Sequence, residues 1–261
     1  MSTAYFDLQP ELHFFLPRDK RDVTIALSFK GRQSLKHLIE SLGVPHTEVG
    51  QVTVNGQARS LDTLPHNGDR IEIRPAAPGC PLEARFLLDS HLGRLASYLR
   101  MLGFDCLYNN DYGCVVGNHY GCVVGNHYHD DGIAGILAED PRILLTRDRR
   151  LLMRKVVQYG YCLRSLDPPE QLIEVVRRFD LSGKTTPFHR CLRCNHPLEP
   201  VSKETVLDRL EPLTKIHFDE FHLCPACDQV YWKGSHVERM ERLIESVNGS
   251  SSSCHKGISN G

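Results

Sequence analysis

Polar and apolar residues alternate in "DVTIALSF", "GQVTVNGQAR" and "GDRIEIRP", whereas apolar residues recur every three or four positions in "SLKHLIESLGV". The first spacing is that of a half-buried strand and the second that of a helix with one buried face. Leu35, Leu38, Ile39 and Leu42 form the helical stripe, and Gly43 stands where a helix stop is expected. "ELHFFLP" reads as another β-rich run, joined to "DVTIALSF" by "RDKR" as a hairpin-like pair. The Asn55-Gly56 step is a strong hairpin signal. Together these predict the order β-β-α-β-β of a β-grasp (α+β) domain over residues 5–76, with "PAAPGCP" opening a linker over 77–84.

A different rhythm begins at Arg85. "RFLLD", "FDCLY", "RILLT" and "GYCLRSLD" read as short strands. Between and after them lie "HLGRLASYLRMLG", "DDGIAGILAED" and "PEQLIEVVRRF", each with helical spacing. Leu92, Leu95, Ala96, Leu99 and Leu102 mark the first helical face; Leu172, Ile173, Val176 and Phe179 mark the last. Alternating strands and helices predict an α/β domain with a mostly parallel sheet over 85–183. Residues 186–247 predict a cysteine-bearing module with a closing helix, "SHVERMERLIESV", and 248–261 a low-complexity, disordered tail.

In open α/β sheets ligands sit beyond the carboxyl ends of the strands. Asp89, Asp111, Asp148 and Asp167 each follow a predicted strand, and Asp130 and Asp131 open a predicted helix. Clustered carboxylates repel one another unless a cation compensates, and hard oxygen donors suit Mg²⁺ or Mn²⁺. Aspartate after a strand also serves plain turn and capping duty, and Asp89 could cap the helix that follows it. Arg94, Arg147, Arg149 and Arg150 lie near these acids in the chain, and a guanidinium fork suits phosphate. The alternative is a solvated helix face.

Two CxxC pairs, Cys191/Cys194 and Cys224/Cys227, supply four thiolates, the donor set of a closed structural Zn²⁺ site. A redox pair would need only one CxxC in a strand-to-helix setting, and spacing alone leaves an iron–sulfur site open. His196 and His222 flank the pairs, and Tyr231 and Trp232 either stack on a base or pack against the zinc module. With 261 residues, 41% of them hydrophobic, the chain can fill one or two domains, or three small ones. A net charge of −1 excludes a global basic field, so nucleic acid would have to meet a local patch. No run of about 18 apolar residues predicts a membrane span. The start lacks a signal-peptide pattern, so the ten cysteines predict a reducing, cytoplasmic setting.

In "GVPHTEVGQVTVNG" and "NGDRIEIRP" the first domain resembles ubiquitin-like sulfur carriers. Their thiocarboxylate chemistry needs a terminal Gly-Gly, whereas here the chain runs on through "AAPGCPLEARF", so a binding or scaffold role is expected. "RFLLDSHLGRLASYLRMLGFD", "DD", "RILLTRDRRL" and the two CxxC pairs resemble the PIN-like ribonuclease domain of the Mut-seven C-terminal family. Bacterial members of that family also carry an N-terminal ubiquitin-like domain. The resemblance implies a PIN-like nuclease domain, a zinc ribbon and a Mg²⁺- or Mn²⁺-dependent ribonuclease acting on RNA. Carried over by motif, Asp89 is the first acid, Asp131 (or Asp130) the middle one and Asp148 the later one. Asp111 and Asp167 rest on strand-end position alone. Arg94, Arg147 and Arg149 fall inside the matching stretches, and Arg94 and Arg147 are the stronger phosphate candidates. The competing function is a non-catalytic RNA-binding or adaptor protein, which would not need the acids, and a weaker one is a sulfur-transfer accessory. A protein partner for the ubiquitin-like domain is also expected.

The octamer "GCVVGNHY" occurs twice, at 113–128. Perfect identity predicts a recent duplication inserted in a strand-to-helix connection, and two copies are too few for a solenoid. Cys114, Cys122, His119, His127 and His129 form an alternative metal set, but nothing in the glycine-flanked repeat fixes ligand geometry. Deleting residues 113–128 is expected to leave the circular-dichroism spectrum and zinc content unchanged; loss of either would refute the reading of the repeat as an insert that folding does not need.

Overall fold

The structure, a computed structural model, describes residues 1–108, 130–234 and 242, with the backbone alone for Asp130 and Asp131. The chain forms two compact units, Met1–Ala77 with Leu137–Cys162, and Pro78–Ile136 with Leu163–Gly261. The division passes through the stretch 85–183 that the sequence pattern groups as one domain. The repeat at 113–128, the tail, and the closing helix apart from Arg242 lie outside the described residues.

In the first unit β1 (Ser2–Leu8) pairs antiparallel with β2 (Ile25–Phe29) and parallel with β5 (Arg70–Pro75). β3 (Val49–Val54) pairs antiparallel with β5 and with β4 (Gln57–Arg59), giving the order β2-β1-β5-β3-β4. With α1 (Leu35–Ser41) between β2 and β3, this is the predicted β-grasp. Ala4 and Phe6, Val52 and Val54, and Ile71 and Ile73 are buried at a period of two, and Leu35, Leu38 and Ile39 at helical spacing. Asn55 and Gly56 both have positive φ, at 51° and 79°, as a two-residue type I′ turn requires.

The first strand differs from the expectation. "ELHFFLP" is not a strand: Pro10–Phe15 forms a 3-10 helix, and the partner of β2 is Ser2–Leu8. Pro10 has no N–H for a ladder, and its fixed φ suits the first helical turn. Leu12 and Phe15, three residues apart, are the buried pair, a spacing that fits a three-residue turn.

Next come β6 (Arg85–Leu88), α2 (Gly93–Met101), β7 (Asp105–Tyr108) and α3 (Asp130–Glu139). Then follow β8 (Ile143–Thr146), α4 (Arg149–Leu152), β9 (Gly160–Cys162) and α5 (Pro168–Phe179). In the first unit β8 and β9 run parallel, and all four residues of β8 are buried, as expected of a strand covered on both faces. In the second unit β6 and β7 run parallel, and α2 packs on β7 and α5. The predicted stripe of α2 is buried at every position. On α5, Val175 is buried together with Leu172, Val176 and Phe179, while Ile173 is only half-buried.

The ends of α5 are set by its sequence. The Asp167 side chain accepts from the Glu170 N–H at 3.4 Å, Pro168 opens the first turn, and Asp180 ends the helix at φ 49°. Gly103 is required twice over: its φ is +94°, and an added Cβ would collide with the Thr186 carbonyl oxygen. The Phe86 ring meets Phe104 edge-on at 6.1 Å and Phe179 at 5.7 Å between centroids.

The last segment holds β10 (Glu199–Val201), α6 (Lys203–Val206), α7 (Pro212–His217), β11 (Phe221–Leu223) and β12 (Val230–Trp232). The three strands form an antiparallel sheet over a small core of Val206, Leu210, Phe221 and Val230. Among the described residues no helix is long and apolar enough to cross a membrane.

Phe86 is fully buried between two aromatic partners, so Phe86→Ala is expected to lower stability by about 3–5 kcal/mol. Urea denaturation at constant zinc measures this.

Candidate functional site

Two turns of matching geometry carry the cysteines. The Cys191 carbonyl accepts from the Asn195 N–H at 2.9 Å, and the Cys224 carbonyl from the Asp228 N–H at 2.8 Å. The Cys191 N–H in turn donates to the His196 carbonyl and the Cys224 N–H to the Gln229 carbonyl, both at 2.9 Å. Asn195 and Asp228, each four residues after the first cysteine of its pair, adopt positive φ, at 65° and 58°. Asn and Asp tolerate that region better than other non-glycine residues. Each turn thereby aims two sulfurs the same way, and the four lie within 4.8 Å of one another. Cys191 and Cys227 are 3.5 Å apart, as are Cys194 and Cys224. A tetrahedron with metal–sulfur bonds of about 2.3 Å needs sulfurs about 3.8 Å apart, so this set could hold a structural metal such as zinc.

The electrostatics agree with a cation-holding role. Burial pushes Cys194 far up and Cys227 up to about 12, so as thiolates they need a positive partner. At Cys191 burial works in the same direction, but bonds from Tyr231, the Cys194 and Arg193 amides and Cys227 outweigh it and hold this thiol below its ordinary value. The Leu192 N–H donates to the Tyr231 hydroxyl at 3.2 Å, and that hydroxyl lies 3.1 Å from the Cys191 sulfur, where its own hydrogen can be donated. Of the two aromatics, Tyr231 thus supports the sulfur set, and Trp232 packs near Phe218 and Phe221 at 6.4 and 6.5 Å. His222 stacks on Phe188 at 5.1 Å, and His196 Nδ1 lies 3.0 Å from the Pro197 carbonyl; neither belongs to the sulfur set.

Two residues that sequence reasoning passed over fasten the cysteine turn to β7. Arg100 is only 2% exposed. It donates to the Cys106 carbonyl at 3.0 and 2.6 Å, to Leu192 at 3.0 Å and to Arg193 at 3.3 Å. Asn195 accepts from the Cys106 N–H at 3.0 Å and donates to Asp105 at 2.8 Å. The signal for Arg100 was available: it stands between Leu99, Met101 and Leu102, in a stretch the helical stripe marks as buried.

The acids occupy element ends. Asp89 follows β6, its Oδ1 accepting the Ser90 N–H at 2.6 Å and its Oδ2 lying 3.5 Å from His91 Nε2. Asp148 follows β8 and caps α4: Oδ1 accepts the Arg150 N–H at 2.8 Å, while its own N–H donates to Thr146 Oγ1 at 2.9 Å. Asp167 caps α5. Asp130 and Asp131 open α3, but their side chains, and Asp111 altogether, lie outside the described residues.

Arg147, Asp148, Arg149 and Arg150 come together in a pocket of about 480 Å³, closed by Glu40, Gly43 and Met153. Within it the three arginines differ. Arg149 donates to the Phe15 carbonyl at 3.0 Å and the Phe14 carbonyl at 3.1 Å. Its guanidinium also lies over both rings, at 5.0 and 5.1 Å from their centres, which makes it an anchor. Arg147 and Arg150 are exposed, as is Arg94 on α2.

A family model described as Mut7-C RNAse domain matches residues 84–244, and one described as Mut7-C ubiquitin matches residues 1–79. The suspected family and its ubiquitin-like N-terminal arrangement are thereby borne out. Two crystal structures of small archaeal modifier protein 1 from Haloferax volcanii are also similar, at 16% and 17% identity. They cover 30% of this chain and 100% and 99% of their own, each with a TM-score of 0.24. No curated protein matches the chain.

Cys224→Ser is expected to abolish stoichiometric zinc uptake and destabilise the β10–β12 module, by up to about 10 kcal/mol. In the unmutated chain zinc should be released as the pH falls, because protons compete with the metal for the sulfurs. Metal analysis after dialysis at stepped pH measures both.

Proposed function

The chain belongs to the Mut7-C RNAse domain family, and from that premise we propose that it is a metal-dependent ribonuclease hydrolysing RNA phosphodiester bonds. Its PIN-type acidic site is built on Asp89, Asp131 and Asp148, with Asp130 the alternative middle acid and Asp111 a further candidate. The observation that supports this reading best is Asp148: it stands at the carboxyl end of a parallel strand, in a pocket lined by three arginines. That is where open α/β sheets place their ligands, and arginine is the residue suited to phosphate.

Carboxylate oxygens are hard donors that fit Mg²⁺ or Mn²⁺. Such an ion, when bound, supplies charge on the phosphoryl oxygens and an activated water. The protein's own groups do the positioning. The Arg150 N–H fixes one oxygen of Asp148, and the Ser90 N–H fixes one oxygen of Asp89, so each carboxylate is oriented before substrate arrives. Arg147 and Arg94 steady the phosphate, and Arg149 holds the turn from beneath. The four-sulfur site takes zinc in a ribbon that has no open coordination position and so plays a structural part. With a net charge of −1, RNA affinity rests on these local arginines and should weaken with salt only as far as those few phosphate contacts dictate. The ubiquitin-like domain offers a surface for a protein partner, and the cysteine-rich chain suits the cytoplasm.

Cleavage of RNA in Mn²⁺ by the unmutated protein, Asp89→Asn and Asp148→Asn, at equal zinc content, tests the proposal. Each substitution is expected to slow cleavage by about two orders of magnitude, because several kcal/mol of transition-state charge stabilisation is lost. Equal rates in all three proteins would refute the acidic site. RNA retained but never cleaved by the unmutated protein would favour the non-catalytic RNA-binding or adaptor reading.

A further inference from the structure

Residues 1–79 match a ubiquitin-like module, yet Leu137–Cys162 form one compact unit with Met1–Ala77. Side-chain-to-backbone bonds join the two stretches at three places. Arg149, next to Asp148, holds the carbonyls of Phe14 and Phe15. His46 Nε2 lies 2.8 Å from the Val157 carbonyl, in the connection between α4 and β9. Glu48, only 4% exposed, accepts the Cys162 N–H of β9 at 2.6 Å.

The segment needs such support. α4 has four residues and β9 three, too few to hold their shape by local hydrogen bonds. A buried carboxylate like Glu48 is costly to take out of water unless well-placed donors replace the lost hydration. His46 is equally specific: its Nδ1 lies 2.8 Å from Glu40 Oε1, and both of its partners are acceptors. Glu40 is itself a wall of the pocket that holds Arg147 and Asp148.

We propose that the ubiquitin-like domain is a positioning element for the Asp148 turn, with Glu48 and His46 as its clamp on residues 146–162. The consequence for chemistry rests on the ribonuclease reading; the clamp itself does not. Glu48 acts on the Cys162 N–H, Cys162 lies on β9, and β9 pairs with β8, whose end carries Arg147 and Asp148. Loosening the clamp should therefore be felt at a turn that Glu48 does not touch.

The test uses the full chain. Glu48→Ala is expected to speed amide hydrogen exchange at Asp148, Arg150 and Met153 by about tenfold, while α5 amides and zinc content stay unchanged. Glu48→Gln keeps a carbonyl oxygen for the Cys162 N–H and should restore slow exchange. His46→Ala, on the next contact along, gives a second variant should Glu48→Ala fail to fold. In RNA cleavage the Mn²⁺ concentration for half-maximal rate should rise about tenfold in the alanine variants, with KM for RNA little changed. Unaltered exchange at 148–153 in folded alanine variants would overturn the proposal, and so would faster exchange with an unaltered Mn²⁺ requirement. Faster exchange in a protein whose unmutated form cleaves no RNA would instead reject the ribonuclease reading and leave the clamp standing.

Discussion

A guanidinium or carboxylate taken out of water loses solvation worth several kcal/mol, so it stays buried only where other polar groups replace that water. Arg100 and Glu48 meet this condition through the main chain. Arg100 reaches three carbonyl groups, and Glu48 takes a backbone N–H. The groups they satisfy belong to short or irregular segments with little apolar surface of their own. Hydrophobic burial forms the β-grasp sheet and the α2–α5 packing; charged side chains bonded to backbone then fix β9 and the Cys191–Cys194 turn.

The cysteine turns show how such anchoring spreads order. Four sulfurs within 4.8 Å favour a cation, and each turn is shaped by one residue at positive φ. Asn195 shapes the first turn and also bonds Cys106 and Asp105 on β7, so one side chain links turn geometry to strand position. Arg190 adds a charge contact to the same Asp105, at 3.6 Å. Ordering the sulfurs therefore also orders the Cys191–Cys194 turn against β7, and the four-cysteine module reads as part of the domain's scaffold.

The ubiquitin-like domain has a comparable relation to the segment after β8. Its helix end lines the pocket that holds Asp148, and its carbonyls receive Arg149. An arginine that looks in sequence like a phosphate ligand turns out to be an anchor, and the pocket's exposed cations are Arg147 and Arg150. Fusion of the two modules in one chain acquires a physical reason from these contacts.

Repeating patterns were legible before the fold was known: the β-grasp order, the α2 stripe, the strand of "RILLT", and the double CxxC. Each is a local or periodic property, settled by alternation, by helical spacing or by the bite of two cysteines on one turn. "ELHFFLP" misled because its composition is β-like while Pro10 denies it a ladder. The roles of Arg100, Asn195, Tyr231, Glu48 and Arg149 were not legible. Each depends on a backbone or sulfur group 39 to 135 residues distant, or on Cys106 brought near by a turn of chain. Periodicity says which side of an element is buried; which main-chain group waits there for a hydrogen bond is decided only when the chain has closed on itself.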